Sequence, residues 1–187
     1  MQYEWYKEVS GTEPLEQGDI IEKCSFLIPG MEHYNAILND IETETPIDIK
    51  EVNAITLSQS CDIVNNKIDS IILCPIFPFA ELTDEGKPFH NPKEREVLRR
   101  GNNPAYHLLN KFKTENLSED FYVVNFHTIY SVPKKFIEAI VKNKMRKRLL
   151  PPYREHLSQS FARYFMRVGL PADIPADDIK NYTASND

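Results

Sequence analysis

Residues 121–132 constrain the fold of this chain more than any other segment. They are rich in aromatic and β-branched side chains, a composition typical of a buried β-strand. Pro133 follows directly, and proline is favoured in the first turn of a helix. Apolar residues then recur at helical spacing and predict a helix over 134–144, with a docking face formed by Phe136, Ile137, Ile140 and Val141.

Two further segments predict strands of the same sheet. Residues 54–58 are mostly apolar and are followed by a polar turn. The apolar run within 70–76 ends at a proline, which is typical of the end of a buried strand. The acidic residues 22–52 predict strands and a long loop, whereas 93–100 predict a short helix. A last helix is predicted over 152–168, where apolar residues are spaced by three and four and a glycine and a proline follow: Leu157, Phe161, Tyr164, Val168, Gly169 and Pro171.

These elements predict an α+β fold, in which a small bent antiparallel sheet or SH3-like barrel carries two C-terminal helices. A chain of 187 residues is expected to form one domain. We place it at 1–171, with the barrel-like part at 18–132, the helices within 134–168 and a flexible acidic tail at 172–187. Three widely spaced cysteines and the lack of a long apolar run predict a cytoplasmic protein without a membrane span. No cofactor is predicted.

Charge is distributed unevenly along the chain. Residues 1–133 hold 11 Lys and Arg against 22 Asp and Glu, whereas residues 134–167 hold 10 against 2. Such asymmetry favours an anionic partner for the basic segment, and RNA, DNA or a protein could be that partner. The alternative is that the basic segment folds back on the acidic body of the same protein.

The last predicted helix supplies a candidate anion site. On a helical wheel, four polar side chains fall within about 60° of one another beside the apolar face: His156, Ser160, Arg163 and Arg167. Two arginines one turn apart can bind an oxyanion with paired hydrogen bonds, and the hydroxyl and imidazole add donors. The basic connector at 146–152 and the residues after it would extend this site along a phosphate backbone through Arg146, Arg148 and Arg154. The alternative is a solvated helix face that pairs with acidic residues.

The turn after residues 54–58 supplies a second candidate site. Cys61 could act as a nucleophile with His127 or His107 as its base, and Asp62 could orient that histidine. The alternative is a polar turn in which Asp62 bonds backbone amides and Cys61 fills a small apolar space. These residue types also bind metals, but their spacing is not that of a metal site, so no metal is predicted.

Four segments, in chain order, resemble the PemK/MazF-type toxin barrel. They are Gly18-Asp19-Ile20-Ile21, Ala54-Ile55-Thr56-Leu57-Ser58, Ile71-Ile72-Leu73-Cys74-Pro75-Ile76 and His127-Thr128-Ile129-Tyr130-Ser131-Val132. In that family such segments build a small SH3-like barrel followed by a helix, so the resemblance implies this fold over 20–80 and 122–142. The family's catalytic Arg and Thr are replaced, since Val52-Asn53 stand at the usual Arg-Pro and Phe77 at the usual Thr.

Two longer segments resemble a family of uncharacterised bacterial proteins, which implies a bacterial source but no activity. They are Leu57-Ser-Gln-Ser-Cys-Asp-Ile63 and Pro151-Pro-Tyr-Arg-Glu-His-Leu-Ser-Gln-Ser-Phe-Ala-Arg-Tyr-Phe-Met-Arg-Val-Gly-Leu-Pro171. The first functional hypothesis is a nucleic-acid-associated or phosphate-binding bacterial protein of a toxin–antitoxin, phage or defence locus. The second is an enzyme acting on a nucleotide-like molecule, centred on Cys61, Asp62 and His127. The third is a protein-interaction module that uses the basic last helix.

The replaced residues predict that the chain has no toxin-type ribonuclease activity at Val52, Asn53 and Phe77. Neither the guanidinium nor the hydroxyl that the family uses to cleave RNA is present there. Incubation of the purified protein with RNA, followed by sequencing of the RNA ends, should reveal no specific cuts. Specific cleavage that survives the joint replacement of five candidate residues would contradict our choice of sites: Ser58, Cys61, Asp62, Arg163 and Arg167.

Overall fold

The structure of the protein is a computed structural model that describes residues 3–42 and 44–166. It confirms an α+β architecture of antiparallel strands and helices. The strands are β1 (Tyr6–Val9), β2 (Ile20–Ile28), β3 (Asp48–Thr56), β4 (Ser70–Pro78), β5 (Tyr106–Phe112), β6 (Asp120–Asn125), β7 (Tyr130–Pro133) and β8 (Arg146–Leu149). The helices are α1 (Met31–Leu38), α2 (Ser60–Val64), α3 (Pro92–Arg99), α4 (Lys134–Val141) and α5 (Tyr153–Phe165), and a 3₁₀ turn covers Phe79–Leu82.

Strand β4 is the centre of the larger sheet, whose order is β2-β3-β4-β6-β5. Strand β6 pairs with residues 76–78 of β4, and β7 pairs with residues 70–73 of the same strand. Strands β1 and β8 form a separate pair, which contacts the larger sheet through a bridge between Asp19 and Arg148. All of these pairs are antiparallel, and the strands of the described ranges do not close into a barrel.

Residues 121–132, predicted as a strand, form β6 and the first three residues of β7 with a turn between them. Strand β6 ends at Asn125, whose side-chain Oδ1 accepts the backbone N–H of His127 at 2.9 Å. Phe126 is fully buried, and its N–H donates to the carbonyl of Ala105 at 2.9 Å. His127 is therefore an exposed turn residue and not a residue in the middle of a strand.

Three other sequence predictions are corrected by the structure. Residues 22–52 contain helix α1 in addition to strands, and the N–H of Gly30 donates to His33 Nδ1 at 3.0 Å where that helix begins. The polar turn after β3 continues into the short helix α2. The basic connector at 146–152 contains β8, which is a strand because β1 pairs with it, a long-range contact that local patterns do not reveal.

The C-terminal helices are shorter than predicted and dock through most of the predicted apolar side chains, although Phe136 of α4, predicted on its docking face, is exposed. In α5, Leu157 is fully buried, and Phe161 and Tyr164 pack partly buried on the same core cluster. In α4, Ile137 and Val141 are buried against a second cluster. A fully buried Leu or Ile side chain contributes about 1.5–3 kcal/mol to folding. The predictions for Val168, Gly169, Pro171 and 172–187 lie outside the described residues.

A buried charge cluster joins the N-terminal loop, β2 and β8. Asp19 has no solvent exposure, and both Arg146 and Arg148 donate hydrogen bonds to it, at 2.8 Å from Arg146 Nε and 2.9 Å from Arg148 Nη2. Arg148 also pairs with Glu16. The remaining donors of the two guanidinium groups bond carbonyl oxygens of Ser10, Glu13 and Pro14. The cluster is therefore buried but well satisfied in hydrogen bonds.

Removal of the central charge is expected to destabilise the protein strongly. Asp19→Asn keeps the size of the side chain but leaves two buried guanidinium groups short of a counter-charge, which should lower the free energy of unfolding by about 3–5 kcal/mol. Equilibrium denaturation in urea measures this change. The control is Glu8→Gln, which breaks the exposed ion pair with Lys147 and should leave the unfolding midpoint nearly unchanged. Similar midpoints for the two variants would contradict the central role of Asp19.

Candidate nucleic-acid interface

A groove of about 450 Å³ lies between α5, β5 and the C-terminal end of α3. Three residues of the predicted anion site line it: His156, Ser160 and Arg163. Arg167, the fourth, lies outside the described residues. No Asp or Glu is found among the described residues that line the groove, whereas Arg99 and Arg100 also contribute to it. The groove is therefore a site of positive charge.

Arg163 is exposed and forms no hydrogen bond or ion pair with another described residue. Every other arginine of the described ranges has such a partner. Arg99 and Arg100, across the groove, each lie 2.6 Å from Glu96, and Arg95 donates to a backbone carbonyl at 2.7 Å. Because a guanidinium carries five donors in a planar fork, Arg163 is the described arginine most available to a ligand.

The end of α3 adds a net positive charge to the groove. Hydrogen bonds from Arg99 and then Arg100 lower the pKa of Glu96 to about 2, so this carboxyl group is ionised at neutral pH. One carboxylate therefore balances only one of the two guanidinium groups. The charge of the other remains beside the groove, opposite Arg163 on α5.

His107 lines the groove from β5, and its Nδ1 lies 3.0 Å from Ser160 Oγ. Its other ring nitrogen, Nε2, is buried and has no hydrogen-bond partner among the described residues. Burial, with a smaller contribution from the charge of His156, lowers the pKa of His107 to about 4, so the imidazole is neutral at pH 7. Such an unpaired nitrogen is uncommon in a folded protein, and its burial makes the charged form of the ring unfavourable.

Aromatic side chains also line the groove. Trp5 stacks on Tyr153, with ring centroids 3.6 Å apart and an angle of 10° between the planes. Phe121 lines the groove as well, and Lys111 Nζ lies 5.2 Å from the centre of its ring. Aromatic rings beside cationic side chains form surfaces on which nucleobases stack.

A second groove, of about 460 Å³, lies between β2, β8 and the residues after α4. Its charged lining residues include both signs: Glu8, Glu22, Glu115, Lys23, Lys144, Lys147 and Arg146, the last of which is paired with Asp19. Lys147 is already paired with Glu8 at 2.8 Å. This groove has no excess of positive charge comparable to that beside α5, and it is not a candidate for binding an anion.

The other arginines of the predicted anion site lie away from the groove. Arg146 and Arg148 are buried on Asp19. Burial opposes the charge of Arg148, but the hydrogen bond and charge of Asp19, with the charge of Glu16, outweigh this effect and raise the pKa of Arg148. Arg154 lies 3.6 Å from Glu16. These three arginines therefore pair with acidic residues of the same chain and not with an outside partner. This arrangement is the alternative to anion binding that the uneven charge distribution left open.

The described contacts do not assemble the three predicted catalytic residues. Cys61 is exposed near the start of α2, and its Sγ lies 3.5 Å from Asp62 Oδ1. The ring of His127 instead packs edge-on against Tyr106 and Tyr164, with centroid distances of 5.5 and 5.8 Å. Within the described ranges, no hydrogen bond joins the His127 ring to Cys61 or Asp62.

Gln17, which no sequence pattern marks, joins α2 to α5. Its backbone N–H donates to Ser60 Oγ at 3.1 Å, and its side-chain Nε2 donates to Ser158 Oγ at 2.8 Å. Ser158 therefore contacts Gln17, whereas Ser160, two residues later, contacts His107. Residues two apart lie on different sides of a helix. The two candidate sites of the sequence are thus separated by α5.

The comparisons with known proteins assign no family to the chain, since no protein-family model and no curated protein matches it. Across the residues that the structure describes, no group of three or more His, Cys, Asp and Glu side chains could hold a metal ion. No helix of this part of the chain combines the length and the apolar character needed to cross a bilayer.

The low pKa of His107 predicts that the protein becomes less stable as the pH falls. An unfolded chain protonates this histidine near pH 6.5, whereas the folded protein does so only near pH 4. Between these values the unfolded state binds more protons, so the free energy of unfolding should fall by up to roughly 3 kcal/mol on acidification. Urea denaturation of the wild type and of His107→Gln at about pH 7 and about pH 4.5 measures this contribution.

The glutamine variant can keep a polar contact with Ser160 but cannot be protonated, so its loss of stability should be smaller than that of the wild type. His90→Gln removes an exposed histidine and should retain the wild-type pH dependence. An equal loss of stability in His107→Gln and the wild type would contradict the assignment of a buried, neutral His107.

Proposed function

We propose that the protein binds single-stranded nucleic acid through the groove between α5, β5 and α3. The observation that carries this proposal is Arg163, an exposed guanidinium without a described protein partner, on a groove whose described lining contains no carboxylate. Nucleic acids are the polyanions that such an arrangement of charge attracts.

Arg163 and its neighbours on α5 supply the donors that a phosphate group needs. Arg163 can donate two parallel hydrogen bonds to the phosphate oxygens. Ser160, one turn earlier, adds a hydroxyl, and His156 adds an imidazole on the same side of the helix. Arg99 and Arg100 lie across the groove, so a strand that enters it meets positive charge on both sides.

The aromatic lining favours a single strand over a duplex. Trp5 and Phe121 offer ring surfaces to unpaired bases, which a duplex keeps stacked inside itself. The exposed amide of Gln159 can hydrogen-bond base edges. Stacking tolerates any base, so we expect modest sequence preference.

The alternatives have less support. An enzyme centred on Cys61, Asp62 and His127 lacks a described contact between the cysteine and the histidine. A protein partner that binds the basic helix would compete for Arg163, which lines the groove and is the residue proposed to bind phosphate. We also propose, from the sequence resemblances alone, that the sheet is related to the bent SH3-like barrels of PemK/MazF-type proteins. The same resemblances favour a bacterial toxin–antitoxin, phage or defence locus.

Neutralisation of Arg163 and Arg167 is expected to weaken binding without unfolding the protein. Fluorescence anisotropy with labelled single-stranded RNA and DNA, repeated over a series of salt concentrations, measures this effect. Each arginine that contacts a phosphate should lower the slope of log affinity against log salt by about one when it is replaced. Arg163→Gln/Arg167→Gln should therefore bind more weakly and show a shallower slope than the wild type.

The control is Lys87→Gln/Lys135→Gln, which removes the same total charge from exposed positions outside the groove and should bind like the wild type. Urea denaturation of each variant separates a binding defect from a structural one. A stable Arg163→Gln/Arg167→Gln variant with wild-type affinity would contradict the proposal. A large loss of stability would show that these arginines have internal partners.

A further inference from the structure

The segment from the last residues of β2 to the first residues of β3 exposes many apolar side chains. We call residues 27–51 the β2–β3 excursion. Eight large hydrophobic side chains are exposed in it, including Leu27, Met31, Tyr34, Ile37, Leu38 and Ile49. A monomeric soluble protein rarely exposes a large contiguous apolar patch, and such a patch is typical of an interaction site.

Helix α1 is inverted relative to an ordinary surface helix. Its one buried residue is His33, whose ring bonds the backbone of Gly30 and, through Nε2 at 3.0 Å, the carbonyl of Thr45. The apolar side chains are left uncovered: Ile37, one turn after His33, is 76% exposed, and Leu38 is 78% exposed. A helix that buries its histidine and exposes its isoleucine and leucine is suited to contact with something outside the chain.

The strands that carry α1 continue the apolar surface. Leu27 of β2 lies directly opposite Ile49 of β3, and both side chains are mostly exposed, at 66% and 69%. Directly opposite residues of an antiparallel pair have adjacent side chains on one face of the sheet. This pair therefore adds a second apolar element to the excursion that the protein itself does not cover.

The negative charge of the excursion favours a basic partner over an acidic one. Six acidic residues lie in 27–51 against a single lysine: Glu32, Asp40, Glu42, Glu44, Asp48 and Glu51. A second copy of the same face would bring two acidic surfaces together. Residues 168–187 of this chain are also acidic, with four Asp and one Lys, and an anionic lipid surface has the same sign of charge. Like charges across an interface oppose association.

We propose that the β2–β3 excursion docks a basic amphipathic helix of a partner protein. The apolar face of that helix would cover Ile37, Leu38 and the adjoining side chains, and its Lys and Arg residues would face the surrounding carboxylates. This site shares no residue with the groove beside α5 and does not rest on the function proposed for that groove.

Binding of defined peptides tests the proposal. The probe is a labelled peptide of about four helical turns, with leucine on one face and lysine on the other. The comparison peptides replace every lysine by glutamate, or scramble the order so that no apolar face remains. Fluorescence anisotropy with the full chain should show that the amphipathic lysine peptide binds at least about tenfold more tightly than either comparison peptide.

Two variants of the excursion should weaken that binding. Ile37→Ser/Leu38→Ser removes apolar contacts and should lower the affinity by about tenfold. Glu42→Lys/Glu44→Lys reverses two exposed charges and should weaken binding mainly at low salt. The matched control is Ile129→Ser/Phe136→Ser, two side chains about as hydrophobic but outside the excursion, which should bind like the wild type.

Three results would overturn the proposal. The first is equal affinity for the lysine, glutamate and scrambled peptides, or equal affinity of all variants for the lysine peptide. The second is a concentration-dependent dimer in analytical ultracentrifugation that Ile37→Ser/Leu38→Ser dissolves, because the occupant would then be a second copy. The third is flotation with phosphatidylcholine vesicles that the same variant abolishes, because the occupant would then be a membrane.

Discussion

The burial of one carboxylate, that of Asp19, determines how the two sheets of the protein fit together. A buried charge is tolerated only when it is paired and hydrogen-bonded, so β8 has to bring Arg146 and Arg148 to the start of β2. The β1–β8 pair then positions two parts of the groove lining, Trp5 and helix α5. Trp5 lies directly before β1, α5 begins shortly after β8, and the N–H of Leu150 donates to the Trp5 carbonyl at 2.8 Å.

The basic segment is thus divided between two tasks. Its first half neutralises the acidic body from within, because the donors of Arg146 and Arg148 are engaged by carboxylate and carbonyl oxygens. Its second half presents Arg163 to solvent on a helix whose other flank is held by Leu157. The acidic β2–β3 excursion lies in a different part of the chain. The protein therefore offers separate surfaces of opposite charge, which would attract different kinds of partner.

The spacing of apolar residues along the sequence predicts those helices and strands whose formation depends mainly on neighbouring residues. The period of α5 gave both its docking face and the stripe that carries Ser160 and Arg163, since a helix sets side-chain direction within one turn. Contacts between distant residues could not be predicted in this way. The pairing of β8 with β1, the contact of His107 with Ser160 and the cluster on Asp19 all join segments that are remote in the sequence. Helix α1 was missed altogether, because the acidic composition of 22–52 predicted strands and a long loop there.

The distance along the chain between the members of the buried cluster also has a consequence for synthesis. Arg146 and Arg148 follow Asp19 by 127 and 129 residues. Until these arginines emerge from the ribosome, the Asp19 carboxylate lacks their charge, and its local partner is the backbone N–H of Glu16, which donates to Asp19 Oδ2 at 3.1 Å in the folded protein. The start of β2 cannot be buried before that moment, because an unpaired buried charge is too costly. The native core is therefore completed only after β8 has been translated, and nascent chains that end before β8 keep the start of β2 open to solvent.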